Sequence, residues 1–204
     1  FSTLCVSLRL CLLNSLFKEI FMLETNRLLI RPYSKGDKAS LYNTISRYEI
    51  YRTTYGIPQA CTMGYAAKWI SRVLQNAREN RSYEYAVINK LSGEYVGNVG
   101  LINIDFVSRR CDISYFIHPD FWNRGFAAEA AAAMVKYSFD VLNMNRVGGM
   151  CMEKNAASAK VMEKLLMKKE GVLRDYFIKD GIKTDAAVYS ILRKEYDLLL
   201  ERKE

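Results

Sequence analysis

The run Trp122-Asn123-Arg124-Gly125-Phe126-Ala127-Ala128-Glu129, leading straight into Ala130 to Ala133, constrains this chain more than any other stretch. Gly125, followed by the small residues Ala127 and Ala128, lets the main chain approach a ligand closely. Successive N–H groups at a helix start converge on an anion, and the helix dipole favours the same charge. Upstream, Cys111 to His118 alternates like a strand and is closed by Pro119-Asp120. The local order is therefore strand, short turn, glycine loop, helix, an order suited to phosphate-bearing nucleotides and coenzymes. The plainer alternative is a glycine that only turns the chain into a helix, so the surrounding residues must decide.

From Asp112 to Glu129 the sequence resembles the acetyl-CoA motif of the GNAT acetyltransferases, Gln/Arg-x-x-Gly-x-Gly/Ala, with Trp122 in the first place, Gly125 in the fourth and Ala127 in the sixth. Tryptophan departs from the broad superfamily and is similar to the branch containing the ribosomal-protein N-terminal acetyltransferases. Thr25-Asn-Arg-Leu-Leu-Ile-Arg-Pro32 looks like the opening strand of that branch. Asn155-Ala-Ala-Ser158 and Lys169-Glu-Gly-Val-Leu-Arg-Asp175 look like its closing half. The resemblance covers Leu23 to Glu195 and implies an α/β (α+β) GNAT fold, a mixed, mostly antiparallel, splayed sheet of about seven strands flanked by helices. One departure stands out: family members usually carry Leu-Gly-Phe or Leu-Gly-Met after the helix that begins at Asn155, and here Leu166 replaces that glycine.

At 204 residues with 50% hydrophobic content, the chain suffices for one domain with a full core. A formal charge of +8 favours anionic partners such as a coenzyme, a ribosome or RNA. Its five cysteines are odd in number and form no Cys-x-x-Cys, which indicates neither a disulfide framework nor a zinc site and fits a reducing, cytoplasmic setting. With His118 the single histidine, no histidine-based metal cluster is expected. The apolar run Phe1 to Phe21 is interrupted by Arg9, Asn14 and Lys18, too broken to span a membrane, and it lacks the marks of a signal peptide. We read residues 1–21 as a translated leader with Met22 as the natural start, the alternative being an N-terminal helix packing its leucines on the domain. The acetyltransferase domain is then 22–195 and the charged tail 196–204.

Along the chain, Arg27 to Tyr33 reads as a first strand, and Asp37 as the cap of a helix to about Arg47. Tyr48 to Gln59 is expected to be a tyrosine-rich loop able to shape substrate choice. Ala66, Trp69, Ile70, Val73 and Leu74 recur at helical spacing between Thr62 and Asn80. Strands follow at Ser82 to Asn89 and Tyr95 to Ile104, joined by the Ser92-Gly93 turn. In Cys111 to His118, the face with Cys111, Ile113, Tyr115 and Ile117 looks like core, and the face with Asp112, Ser114, Phe116 and His118 is mixed enough to line a cleft. Beyond the alanine-rich helix, Arg146 to Met152 reads as a strand and Asn155 as the cap of a helix. A closing hairpin runs from Gly171 to Ile178 and Thr184 to Leu192 across the Asp180-Gly181 turn.

The resemblance implies transfer of an acetyl group from acetyl-CoA to a primary amine by direct attack in a ternary complex. The pyrophosphate would lie on Asn123, Arg124, Gly125, Phe126, Ala127 and Ala128, the pantetheine arm on backbone near Tyr115, Phe116 and Ile117, and Asn155 would also contact the coenzyme. Ser158, in the helix capped by Asn155, would protonate the leaving thiolate, with Tyr189 an alternative donor. Asp112 would take the proton of the amine, with Asp175 or Glu153 in reserve. The acceptor stays open among protein N-termini, including a ribosomal protein, small amines and aminoglycoside-like compounds, and the chain would act as a monomer or homodimer. The rival readings are a non-catalytic acyl-CoA sensor and a basic ribosome- or RNA-binding domain.

Overall fold

Alternating apolar residues give β1 (Leu23–Glu24), β2 (Leu28–Arg31), β3 (Tyr83–Asn89), β4 (Tyr95–Asp105), β5 (Arg110–Ile117), β6 (Arg146–Met152), β7 (Lys168–Lys179) and β8 (Ile182–Leu192). In the computed structural model, which describes residues 21–201, these form one sheet in the order β1-β2-β3-β4-β5-β6-β8-β7. Seven are the expected strands, and β1 is a two-residue addition that folds back on β2. Every neighbouring pair is antiparallel except β5 with β6, which run parallel. That contact is short: Arg110, Cys111 and Asp112 face Arg146, Val147 and Gly148. Beyond it the strands part, so the sheet is splayed between Ile113–Ile117 and Gly149–Met152. A parallel pair needs a crossover, and the alanine-rich helix supplies it.

Six helices flank the sheet: α1 (Lys38–Ile45), α2 (Tyr48–Thr53), α3 (Met63–Arg78), α4 (Phe126–Asp140), α5 (Ala156–Lys164) and α6 (Arg193–Glu201). One face carries a core in which Leu41, Ile45, Ile70 and Val73 pack on Ala86, Ile88 and Phe116. On the other, Ala130 to Ala133, Met134 and Phe139 pack on Leu28, Ile30, Val99, Leu101 and Cys111. Burying an aliphatic side chain such as Leu28 or Ile30 contributes about 1.5–3 kcal/mol. α4 is buried around much of its circumference, Ala132 and Val135 included. Small side chains there let its axis lie close to the sheet. No helix of the described residues is long and apolar enough to cross a membrane.

Several local expectations are corrected. The stretch from Tyr48 is not all loop, because its first turn and a half is α2, anchored by buried Ile50 and Tyr51. Asp37 does not cap α1 with its side chain. Its carboxylate instead takes both terminal nitrogens of Arg31 (2.7 and 2.8 Å) and the N–H of Ser34 (2.7 Å), which outcompetes a helix cap with a charge-assisted fork. Those bonds hold its acid below the usual range against the opposing effect of burial, which by itself raises it. The charged tail is packed: Tyr196 of α6 is buried and stacks on Phe139 at 4.7 Å, so the fold continues past residue 195. Residues 1–20 of the expected leader lie outside the described residues. Its last residue, Phe21, is buried, stacked 3.7 Å from Tyr137 and edge-on to Tyr83 and Tyr85.

Leu166 occupies the left-handed region at φ 60° and is 42% exposed, at the turn where glycine was expected. An L-residue there costs about 1–2 kcal/mol through its Cβ, while glycine gives back about 0.4–1 kcal/mol in the unfolded chain. Leu166→Gly should therefore stabilise the protein by about 0.5–1 kcal/mol, read as a raised urea midpoint at unchanged m. A lowered midpoint would show that the leucine side chain contributes more by packing than its backbone costs.

Candidate active site

The register of β4 and β5 decides which backbone groups the splay leaves open. The N–H of His118 donates to the carbonyl of Val96 (2.8 Å), and the register continues unbroken from Gly97 opposite Ile117 to Ile102 opposite Asp112. In an antiparallel ladder, alternate residues turn their N–H and C=O to the same neighbour. Residues 114, 116 and 118 therefore bond to β4, whereas Ile113, Tyr115 and Ile117 face the gap towards β6. Phe116, expected among the backbone contacts, is corrected: its main chain serves β4, and its side chain is buried edge-on to Trp69 at 5.9 Å. The carbonyl of Ile117 is taken by the indole N–H of Trp122 at 2.6 Å. That bond ties the glycine loop to the end of β5 and explains a tryptophan in the motif's first place.

The loop itself turns through two left-handed residues, Asn123 at φ 60° and Gly125 at φ 79°, with Gly125 at the N-cap of α4. Asn123, Arg124 and Gly125 are exposed. The N–H of Glu129 closes the first helical bond on the carbonyl of Gly125 (3.1 Å), so the N–H groups of Phe126, Ala127 and Ala128 precede the intrahelical ladder. The loop thus combines two left-handed residues with three N–H groups that lie outside the helical ladder. Arg124 is turned back, its guanidinium donating to the carbonyl of Asp120 (2.9 Å) and lying over Phe121.

Asn155 caps α5 as expected, its side-chain oxygen accepting from the N–H of Ser158 at 3.1 Å. Its amide group donates to the carbonyl of Thr53 (3.1 Å) and so fastens α5 to the end of α2. The hydroxyl of Ser158 does not cap the helix; it meets the hydroxyl of Tyr115 at 2.9 Å. Tyr115 also donates to the carbonyl of Ser158 (3.1 Å), so its hydroxyl meets two oxygens of that residue. Burial pushes the Tyr115 phenol well up, and Cys151 nearby is raised for the same reason, so both stay protonated. Tyr189, the alternative donor, is buried on β8, its hydroxyl also pushed up by burial.

Asp112 is not brought to Ser158. Strand alternation puts its side chain on the opposite face of β5 from Tyr115, at the closed end of the splay. Asn103 donates to one carboxylate oxygen at 2.9 Å. The other oxygen lies over Gly148, where an added Cβ would stand 2.2 Å from it, so β6 makes room for this carboxylate by having no side chain there. The reserve carboxylates Asp175 and Glu153 are both exposed and paired with Lys183 (3.3 Å) and Lys169 (3.7 Å).

The wall beside this gap is a junction that the linear sequence did not disclose. Tyr51 donates to the carboxylate of Asp180, which with burial raises the phenol to about 12. Lys179 donates to the carbonyls of Tyr51 and Thr54 (2.5 Å for the latter) and lies 3.9 Å over the Tyr51 ring. An open pocket of about 380 Å³ lies between α2, the loop Tyr55–Gln59 and the tip of the β7–β8 hairpin. Sequence reasoning also passed over Arg27, Thr25 and Glu129, which meet behind the glycine loop. The signal available was Glu129, a buried acidic residue in the first turn of α4.

Comparison with known proteins follows this geometry. The acetyltransferase (GNAT) domain family matches residues 27–168. An uncharacterised N-acetyltransferase of Bacillus subtilis (strain 168), YoaA, is 31% identical over 172 residues, covering 84% of this chain and 97% of that protein. Among solved structures, the ribosomal L7/L12 alpha-N-protein acetyltransferase RimL, in complex with coenzyme A, superposes with a TM-score of 0.77 at 14% identity over 83% of this chain and 96% of that one. Spermidine N-acetyltransferase from Vibrio cholerae, in complex with CoA and spermine, superposes at 0.74 with 20% identity over 83% and 98%.

Proposed function

The chain belongs to the GNAT acetyltransferase family, and on that premise we propose that it transfers an acetyl group from acetyl-CoA to a primary amine by direct attack within a ternary complex. The observation that carries the reading is the conjunction of a left-handed glycine cradle at the start of α4 with the unpaired edge of β5 and the Tyr115–Ser158 hydroxyl pair. Phosphates lie on the N–H groups from Asn123 to Ala128, and the pantetheine arm pairs with Ile113 and Tyr115 like an added strand. Fixing the thioester in this way supplies part of the rate by orientation alone. The amine nitrogen attacks the thioester carbon, the C–S bond breaks, and the acetyl group ends on nitrogen. Ser158 delivers its proton to the departing sulfur and is reprotonated through Tyr115 or water. Asp112 stands on the other face of β5, so the proton lost by the amine reaches it through water.

The acceptors named for the fold neighbours, spermine in one and a ribosomal protein in the other, are both amines, which supports the acceptor class. Free CoA should appear when the protein meets acetyl-CoA and a panel of protein N-terminal peptides, polyamines and small amines, with mass spectrometry locating the acetyl group. CoA release without any acetylated amine would refute transfer. Asp112→Asn should flatten the acidic limb of the pH–rate profile measured with a low-pKa amine, while Ser158→Ala keeps that limb. An unchanged limb in Asp112→Asn would remove the base role from Asp112.

A further inference from the structure

Behind the glycine loop, a side chain from 97 positions earlier bonds to its main chain. Nη1 of Arg27 donates to the carbonyl of Arg124 at 2.9 Å. The same guanidinium donates through Nε to Oε2 of Glu129 at 2.7 Å, with Nη2 at 2.6 Å from that oxygen. The other oxygen of Glu129 accepts from the hydroxyl of Thr25 (2.5 Å) and the backbone N–H of Arg27 (3.0 Å). Glu129 is 9% exposed, whereas the Arg27 side chain is 49% exposed. Arg27 also lies 4.7 Å over the ring of Phe126, the first residue of α4.

We propose that Arg27, locked by the buried carboxylate of Glu129, is the positioning residue that sets the glycine loop in its anion-receiving conformation before coenzyme arrives. This rests on the reading of Asn123 to Ala128 as the coenzyme cradle. The peptide joining Arg124 to Gly125 is planar and trans, so its C=O and N–H point in opposite directions. Holding the Arg124 carbonyl on Arg27 therefore aims the Gly125 N–H away from the guanidinium, to the open side of the loop. A free glycine loop would spend binding energy on finding that orientation; here it is set in advance. Glu129 has a cost that explains the rest of the arrangement. A bare carboxylate in the first turn of α4 would repel the phosphates that the helix N-terminus attracts. Arg27 neutralises it, and Thr25 with the Arg27 N–H occupies its second oxygen. The arrangement needs the guanidinium fork, which meets Oε2 of Glu129 through Nε and Nη2 while Nη1 holds the Arg124 carbonyl, a span that one compact ammonium lacks.

Steady-state kinetics with acetyl-CoA and with S-acetylpantetheine, which lacks the pyrophosphate, separates positioning from general support. Loss of the fork is expected to raise KM for acetyl-CoA in Arg27→Met by about tenfold to a hundredfold, the size of one charge-assisted hydrogen bond, with kcat at saturation within about twofold. KM for S-acetylpantetheine should not move. Arg27→Lys should behave as Arg27→Met does, because charge alone does not orient the peptide. Full rescue by lysine would overturn positioning in favour of simple attraction. An equal loss with both substrates would show that Arg27 only supports the fold, and unchanged KM with both would show that the loop orients itself. If the unaltered protein is not saturated by acetyl-CoA at all, the reading of the cradle falls and takes the clamp with it.

Discussion

Ser158→Ala is expected to lower kcat by about tenfold to a thousandfold while leaving acetyl-CoA affinity within about twofold, because a donor to the departing sulfur matters mainly as charge develops there. The structure makes this substitution a clean probe. The cap of α5 is formed between the side chain of Asn155 and the backbone N–H of residue 158, which alanine keeps. Only the hydroxyl is lost, with its contacts to Tyr115 and to the Cys151 thiol. Tyr115→Phe tests the other half of the pair: Ser158 stays near the sulfur but loses its partner, so kcat should fall less than in Ser158→Ala. The double variant should be little worse than Ser158→Ala, since residues acting as one unit are not additive. A wild-type kcat in Ser158→Ala, measured with a chemistry-limited acceptor, would confine both hydroxyls to holding α5 on β5.

Gly125→Val should cost acetyl-CoA affinity a hundredfold or more. Gly125 sits at φ 79°, a conformation in which a Cβ meets backbone at about 1–2 kcal/mol and a β-branched residue fares worse. The added Cβ would stand 3.4 Å from Nη2 of Arg27, an ordinary contact, so the penalty lies in the backbone and the relaxed loop would lose its shape. Gly125→Asn supplies the comparison, as asparagine tolerates the left-handed region: it should keep affinity within about tenfold. Isothermal calorimetry on the folded variants reads both. Equal affinity in Gly125→Val and the unaltered protein would mean that phosphate is held elsewhere.

Much of this was legible in the residues because the signals were local. Gly125 between polar and small residues carries its own backbone requirement, Asn155 three residues before Ser158 carries its own cap, and the strand alternation of Cys111 to His118 needs no partner to be read. Alternation also separates Asp112 from Tyr115, so their placement on opposite faces followed from spacing. What misled was competition invisible in one dimension. Asp37 looked like a cap until Arg31 offered its carboxylate a better fork, and Tyr48 to Thr53 looked like a loop until Ile50 and Tyr51 found a core to enter.

The sequence by itself determined seven of the strands, most of the helices and the left-handed glycine turn into α4, because these depend on contacts spanning a few residues. Only the tertiary structure decided how the cradle is held, which hydroxyls meet and which backbone edge is free. Arg27 and Glu129 are separated by 102 positions, and Tyr115 and Ser158 by 43. The opening beside β5 exists because its parallel partner diverges after three residue pairs. Such features are set by how strands register and helices pack, and the free energy that selects them is shared over the whole core rather than held in the segments they join.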